Sequence, residues 1–258
     1  MTELEFHFHT GVEFSAPVSG HTFALHCLPV EDDAQKLQSY AVRIEPAAEY
    51  GLHRDGFGGW LVCGSCREPH TVFCYDSHGI VRVDGRAQAE PVNPVLKQFT
   101  ALTAMTAELE ALWQSLPLDG KPPQEQAALL NKAAAAALHY VPGLTGNSTT
   151  AGQAFALGSG VCQDYAHILL ALARRSGLAA RYCMGLVPGE GATHAWAELA
   201  LPDGWHGYDP TFACEAGEEH LRFAVGRDAA DCRAERGIFR GAAEQTLHTE
   251  MRLDIRKG

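Results

Sequence analysis

The first hydrophobic pattern along the chain has a period of two. In "LEFHFH", Leu4, Phe6 and Phe8 alternate with Glu5, His7 and His9, as in a half-buried strand. Short runs of the same kind follow: "HTFALHCL", "SYAVRIE", "GGWLVC", "HTVFCY" and "GIVRVDG", each bounded by Gly, Pro, Asp or Ser. They predict a small antiparallel β module, sandwich or barrel-like, with "YDSHG" (75–79) as a hairpin loop. The two prolines of "AEPVNP" (89–94) mark a boundary. The expected domains are therefore an N-terminal module over 1–90 and a second domain over 91–258.

Beyond that boundary the period lengthens. Phe99, Leu102, Leu109, Leu112, Trp113 and Leu116 fall on one face of a helix ending near "LPLDG". A second helix starts at "PPQEQ" and runs through "NKAAAAALHY", where the alanines favour helix strongly. "VPGLTGNSTT" reads as a loop. A third helix follows in "GVCQDYAHILLALARRSGLAARY", with Tyr165, Ile168, Leu169 and Leu172 as its core stripe. Ser159 or Gly160 can cap it, and Gly177 ends it behind Arg174 and Arg175, whose charges suit the dipole. Strands are expected over 178–187, 194–201 and 205–211. In a final strand, Leu247, Thr249, Met251, Leu253 and Ile255 face one way, and His248, Glu250, Arg252, Asp254 and Arg256 the other. The predicted class is α+β.

Composition narrows the function classes. Of 258 residues, 46% are hydrophobic and 20% charged, ordinary values for a soluble globular chain. Acidic residues outnumber basic ones, 31 to 20, for a formal net charge of -11. No basic run offsets this, so a nucleic-acid surface is not expected. Neither a signal peptide nor a membrane-spanning run is visible, and the expected location is the cytoplasm. The eight cysteines are then expected to be free thiols.

One of those thiols stands apart. Cys162 falls in the first turn of the third helix, where unpaired N–H groups and the positive end of the dipole favour a thiolate. The same N–H groups could hold the oxyanion of a tetrahedral intermediate. From position alone a small buried hydrophobe is the favoured reading, because a thiol also needs a nearby imidazole to activate it. "ATHAWAEL" places His194 at a strand start, and "GWHGYDPT" places Asp209 near the end of the next strand. If the turn "LPDGW" has a two-residue loop, Pro202-Asp203 or Asp203-Gly204, the two residues share a sheet face. In the first of those registers Asp209 opposes Trp196, diagonal to His194 and within side-chain reach.

"GSGVCQDYAHILLALARRSGLAARY", "THAWAEL" and "WHGYDPT", in that order, resemble the three signature segments of the bacterial transglutaminase-like superfamily. "VGRDAADCRAERGIFRG" (225–241) resembles the family's C-terminal part. The first ninety residues, with "HRDGFGGWLV", resemble the N-terminal region often joined to it. The resemblance implies a papain-like α+β domain with Cys162 as nucleophile, His194 as general base and Asp209 as its orienter. It implies a peptide or protein amide substrate, a thioester acyl-enzyme, and no cofactor or metal. Hydrolysis is favoured over amine transfer because no calcium-loop motif is present. One departure stands out: papain-type enzymes place a glutamine shortly before the cysteine, and "AFALGSG" has none, so the second oxyanion donor is unassigned.

Other residues have plainer readings. Asp164 is read as a helix N-terminal charge, His167 as structural, and Trp196 and Tyr208 as packing around the pair. Asp228 and Asp231 are read as shaping the cleft. Two rival functions stand beside the enzyme: a non-catalytic peptide-binding scaffold, and a zinc protein built on "CGSC" with Cys63 and Cys66. The zinc site would need two more ligands, from His70, Cys74 or Cys27.

Overall fold

A 24-residue strand, β1 (Thr2–Leu25), organises the N-terminal part. The structure, a computed structural model, describes residues 1–85 and 89–256. β2 (Gln35–Glu45), β3 (Glu49–Arg54), β4 (Trp60–Cys66) and β5 (His70–Val83) follow. The helical segment holds α1 (Ala107–Ser115), α2 (Pro123–Ala136), the short strand β6 (His139–Tyr140), α3 (Ala151–Leu157), β7 (Ser159–Gly160) and α4 (Cys162–Arg175). Then come β8 (Ala180–Leu186), β9 (Gly189–Gly191), β10 (His194–Leu201), β11 (Gly204–Asp209), β12 (Cys214–Ala216), β13 (Leu221–Gly226), β14 (Glu235–Arg240) and β15 (Gln245–Ile255). The class is α+β. No helix among the described residues is long and apolar enough to cross a membrane.

Two antiparallel sheets face each other. The larger has eight strands, with β1 pairing β5 and β15 along its first half and β4 and β14 along its second. The smaller runs in the order β12-β11-β10-β8-β13, with α4 packed on β10 and β8. One apolar core joins the sheets: Phe223 of β13 meets Phe6 edge-on at 5.5 Å and Phe8 at 5.2 Å, ring centre to ring centre. The chain's end, β14 and β15, lies in the same sheet as its start, so residues 235–255 complete the N-terminal sheet.

Several local expectations change under tertiary pairing. "YDSHG" is not a hairpin loop: residues 75–79 lie inside β5, between β1 and β2, with Tyr75 and Ser77 fully buried. Neighbours on both sides outweigh the turn-prone composition. The first helix is shorter than its apolar pattern, because Thr106 caps it from Leu109 N–H and leaves Phe99 and Leu102 in the preceding loop. In β15 only Met251 and Leu253 of the expected apolar face are buried, while Leu247 and Ile255 are exposed.

Candidate active site

Cys162 opens α4, but neither Ser159 nor Gly160 caps that helix. The two form β7, and Val161, which has no polar side chain, is the N-cap. Asp164 does the capping by reaching back to accept from the Val161 N–H at 2.8 Å. The Thr145 hydroxyl donates to the same oxygen at 2.6 Å. Burial pushes the Asp164 carboxyl up, against the lowering effect of those two donors. Gly160 is required here: a Cβ on it would stand 2.6 Å from Asp164 Oδ2. β6 runs parallel to β7, pairing Tyr140 with Gly160, which sets Tyr140 beside the start of α4.

The histidine and aspartate arrive on β10 and β11. Their turn has the two-residue loop Pro202-Asp203, with Leu201 opposite Gly204 and Ala197 opposite Tyr208. That register carries Asp209 onto the His194 face, and His194 Nε2 donates to Asp209 Oδ2 at 2.7 Å. On the other side His194 pairs with Gly185 of β8, where a Cβ would press on the Trp196 ring at 2.6 Å. The bare glycine thus admits Trp196, which stacks on His194 at 6.1 Å, while Phe212 stacks on it at 5.0 Å.

The carboxylate of Asp209 is saturated. His220 Nε2 also donates to Oδ2, at 3.2 Å. Thr211 N–H and Phe212 N–H donate to Oδ1 at 2.9 and 3.3 Å. Burial pushes Asp209 up, yet its two histidine partners win and hold it far below the usual carboxylate range. Burial also works against the His194 imidazolium. Hydrogen bonds to Asp209 and Cys162 outweigh it, raising the group from 6.5 to about 9. With Nε2 committed to Asp209, Nδ1 is the ring nitrogen left for the sulfur.

Cys162, His194 and Asp209 are thus brought together, with His194 bonded to Asp209 and sharing one cleft wall with Cys162. Cys162, His194 and Tyr140 line one cleft of about 180 Å³, walled also by Leu186–Thr193 and Met251–Leu253.

Two family models match this chain: the transglutaminase-like superfamily core over residues 111–210, and the bacterial transglutaminase-like N-terminal region over residues 4–82. Residues 111–210 are similar to the transglutaminase-like superfamily core. At the level of that family, the match supports a cysteine-dependent enzyme acting at amide bonds. An uncharacterized protein of Mycobacterium leprae is 28% identical to this chain over 263 residues, covering 92% of it and 93% of its own length. One from Mycobacterium bovis is 29% identical over 252 residues, covering 83% and 80%. The crystal structure of a candidate cysteine protease from Cytophaga hutchinsonii aligns with a TM-score of 0.81 at 19% identity. It covers 100% of this chain and 91% of its own, and it establishes the shared fold.

The remaining residues of this chain fall where their chemistry puts them. His167 is fully buried and accepts from the Ala229 N–H at 3.2 Å, fastening the loop after β13. Asp231 pairs with Arg227 at 2.8 Å. Cys63 and Cys66 sit three apart on β4, so their side chains leave opposite faces, and the Cys66 thiol donates to the Pro46 carbonyl at 3.7 Å. Gln153, the glutamine nearest before Cys162, is occupied in the capping box of α3 with Thr150. The sequence offered no sign of His220 or Phe212 at the site. Phe212 stands three residues after Asp209, where a turn brings it back, but His220 follows a further loop that only the fold closes.

Proposed function

We propose that this chain is a cysteine hydrolase of peptide amide bonds. The observation that carries this reading is the row Cys162–His194–Asp209 at the wall of an open cleft. Sγ of Cys162 attacks the amide carbonyl carbon, and the C–O electrons move onto oxygen. The oxyanion meets the N–H groups at the start of α4 and the Tyr140 hydroxyl, which burial and the nearby sulfur keep protonated. The His194 imidazolium gives its proton to the departing nitrogen as the C–N bond breaks, leaving a thioester on Cys162. Neutral His194 then takes a proton from water, the hydroxyl adds to the thioester carbon, and the acid leaves as the sulfur regains its proton or its ion pair. Asp209 keeps the imidazole in one tautomer and steadies its charge throughout.

The Cytophaga structure's description as a candidate cysteine protease agrees with water as the acceptor. The test is incubation with a peptide library, with and without an added primary amine, followed by mass spectrometry of products and intact protein. The expected result is hydrolysed peptide and a transient acyl mass on Cys162, both absent in Cys162→Ala. Products carrying the amine in place of water would make the chain a transferase. No acyl mass with any peptide would overturn the reading.

A further inference from the structure

A second cavity lies beside the cleft, and the mechanism makes no use of it. Its volume is about 360 Å³, within the size range of ligand sites. It forms where the two sheets meet, between β1, β5 and β15 on one side and β8 with the loop after β13 on the other. Ala192, Thr193 and Met251 line both this cavity and the catalytic cleft, and Gln163, next to Cys162, lines its wall. The two spaces are therefore neighbours along one surface.

Its lining carries buried polar atoms that the sheets themselves do not use. Thr10 and Tyr75 are almost wholly buried and their hydroxyls lie side by side, with no other protein partner in hydrogen-bond geometry. Glu235 Oε2 has no such partner among the described residues either. Glu235 makes no ion pair among the described residues, although Arg233 also lines the cavity. The two acidic and phenolic groups sense one another, because the Glu235 charge helps push the Tyr75 hydroxyl up. These three side chains line one cavity, and none of their oxygens serves the β-sheet pairing around it. A carboxylate and two hydroxyls facing one space are polar groups of the kind that orient a ligand in a binding site.

We propose that this cavity is a substrate subsite for a primary ammonium group carried on a peptide side chain, with Glu235 as its counter-ion. The hydroxyls of Tyr75 and Thr10 supply further acceptors for the ammonium protons, and the methylenes of the side chain lie along Met184 and Met251. Burial pushes the Glu235 carboxyl up to about 7, and an ammonium group alongside favours its ionised form. The assignment rests on the peptide-amide reading, and names the side chain that such a substrate presents.

Binding tests it apart from catalysis. Cys162→Ala protein is titrated calorimetrically with alanine pentapeptides carrying one lysine at each position in turn, and with the same set carrying norleucine. At one position the lysine peptide should bind about tenfold more tightly than its norleucine counterpart, as one charge-assisted contact implies. Glu235→Gln should remove that preference. Tyr75→Phe, read in the same titration, should reduce it. Equal binding of lysine and norleucine at every position would overturn the subsite, as would a preference that survives both substitutions. Either result would leave hydrolysis, read separately on the wild-type chain, untouched.

Discussion

His220 and His194 share one oxygen of Asp209: their Nε2 atoms stand 3.2 and 2.7 Å from Oδ2. His220 also packs edge-on against Trp196 at 5.2 Å, the ring that stacks on His194. It therefore steadies both the orienting carboxylate and the imidazole's neighbour. His220→Ala is expected to lower kcat/KM by about tenfold, the size of one hydrogen bond to a charged group. KM should change little. A loss as deep as that of His194→Ala would show that His220 takes part in proton transfer itself.

Asp209→Asn should cost far more. The two backbone N–H donors on Oδ1 hold the amide oxygen, which turns the Asn NH₂ toward His194. Nε2 must then accept, and Nδ1 presents a proton to the sulfur, the wrong tautomer. Activity is expected to fall on the order of 10²–10⁴-fold, as for orienting carboxylates in triads. Adding the change to His194→Ala should cost almost nothing further. Additive losses in the double variant would remove Asp209 from the row.

The imidazole of His194 should titrate near 9, and NMR of its ring nitrogens reads this directly. Its raised value sets the sign of the pH dependence. Below 6.5 the ring is protonated in folded and unfolded chain alike, so its stabilising contribution is complete. That contribution is lost as pH rises through about 9. Denaturation midpoints should therefore decline between pH 6.5 and 9, and less steeply in Asp209→Asn, where the ring titrates closer to 6.5. A wild-type midpoint at or below 6.5 would sink the ion-pair picture.

Cys162 should be alkylated first among the eight thiols at pH 6. It faces the cleft and His194, whereas burial pushes the other seven thiols up, Cys27 to about 12. Peptide mass spectrometry after a short iodoacetamide pulse gives the order. Modification of Cys63, Cys66 or exposed Cys214 ahead of Cys162 would contradict the nucleophile assignment.

Tyr140→Phe removes a hydroxyl and leaves the ring that stacks on Tyr165 at 6.5 Å. If that hydroxyl holds the oxyanion, kcat should fall roughly 10²–10³-fold with KM and the alkylation rate of Cys162 nearly unchanged. An unaltered kcat would leave the backbone N–H groups as the whole oxyanion site.

Elements whose signals are local were legible along the chain. The alternation of Leu4, Phe6 and Phe8 marks a strand, and the stripe from Tyr165 to Leu172 marks the helix that Cys162 opens. Spacing also allowed the His194–Asp209 pair, because a two-residue turn links their strands and a strand's side chains alternate strictly. Local patterns could not show which strands become neighbours. Tertiary structure drew residues 75–79 into the middle of a sheet and closed the chain's end against its start. It alone brought His220 to Asp209 and gathered Thr10, Tyr75 and Glu235 around one cavity. Each of those contacts joins segments separated by a loop or by most of the chain. Burial of a shared apolar core specifies such contacts, and no single segment carries that information.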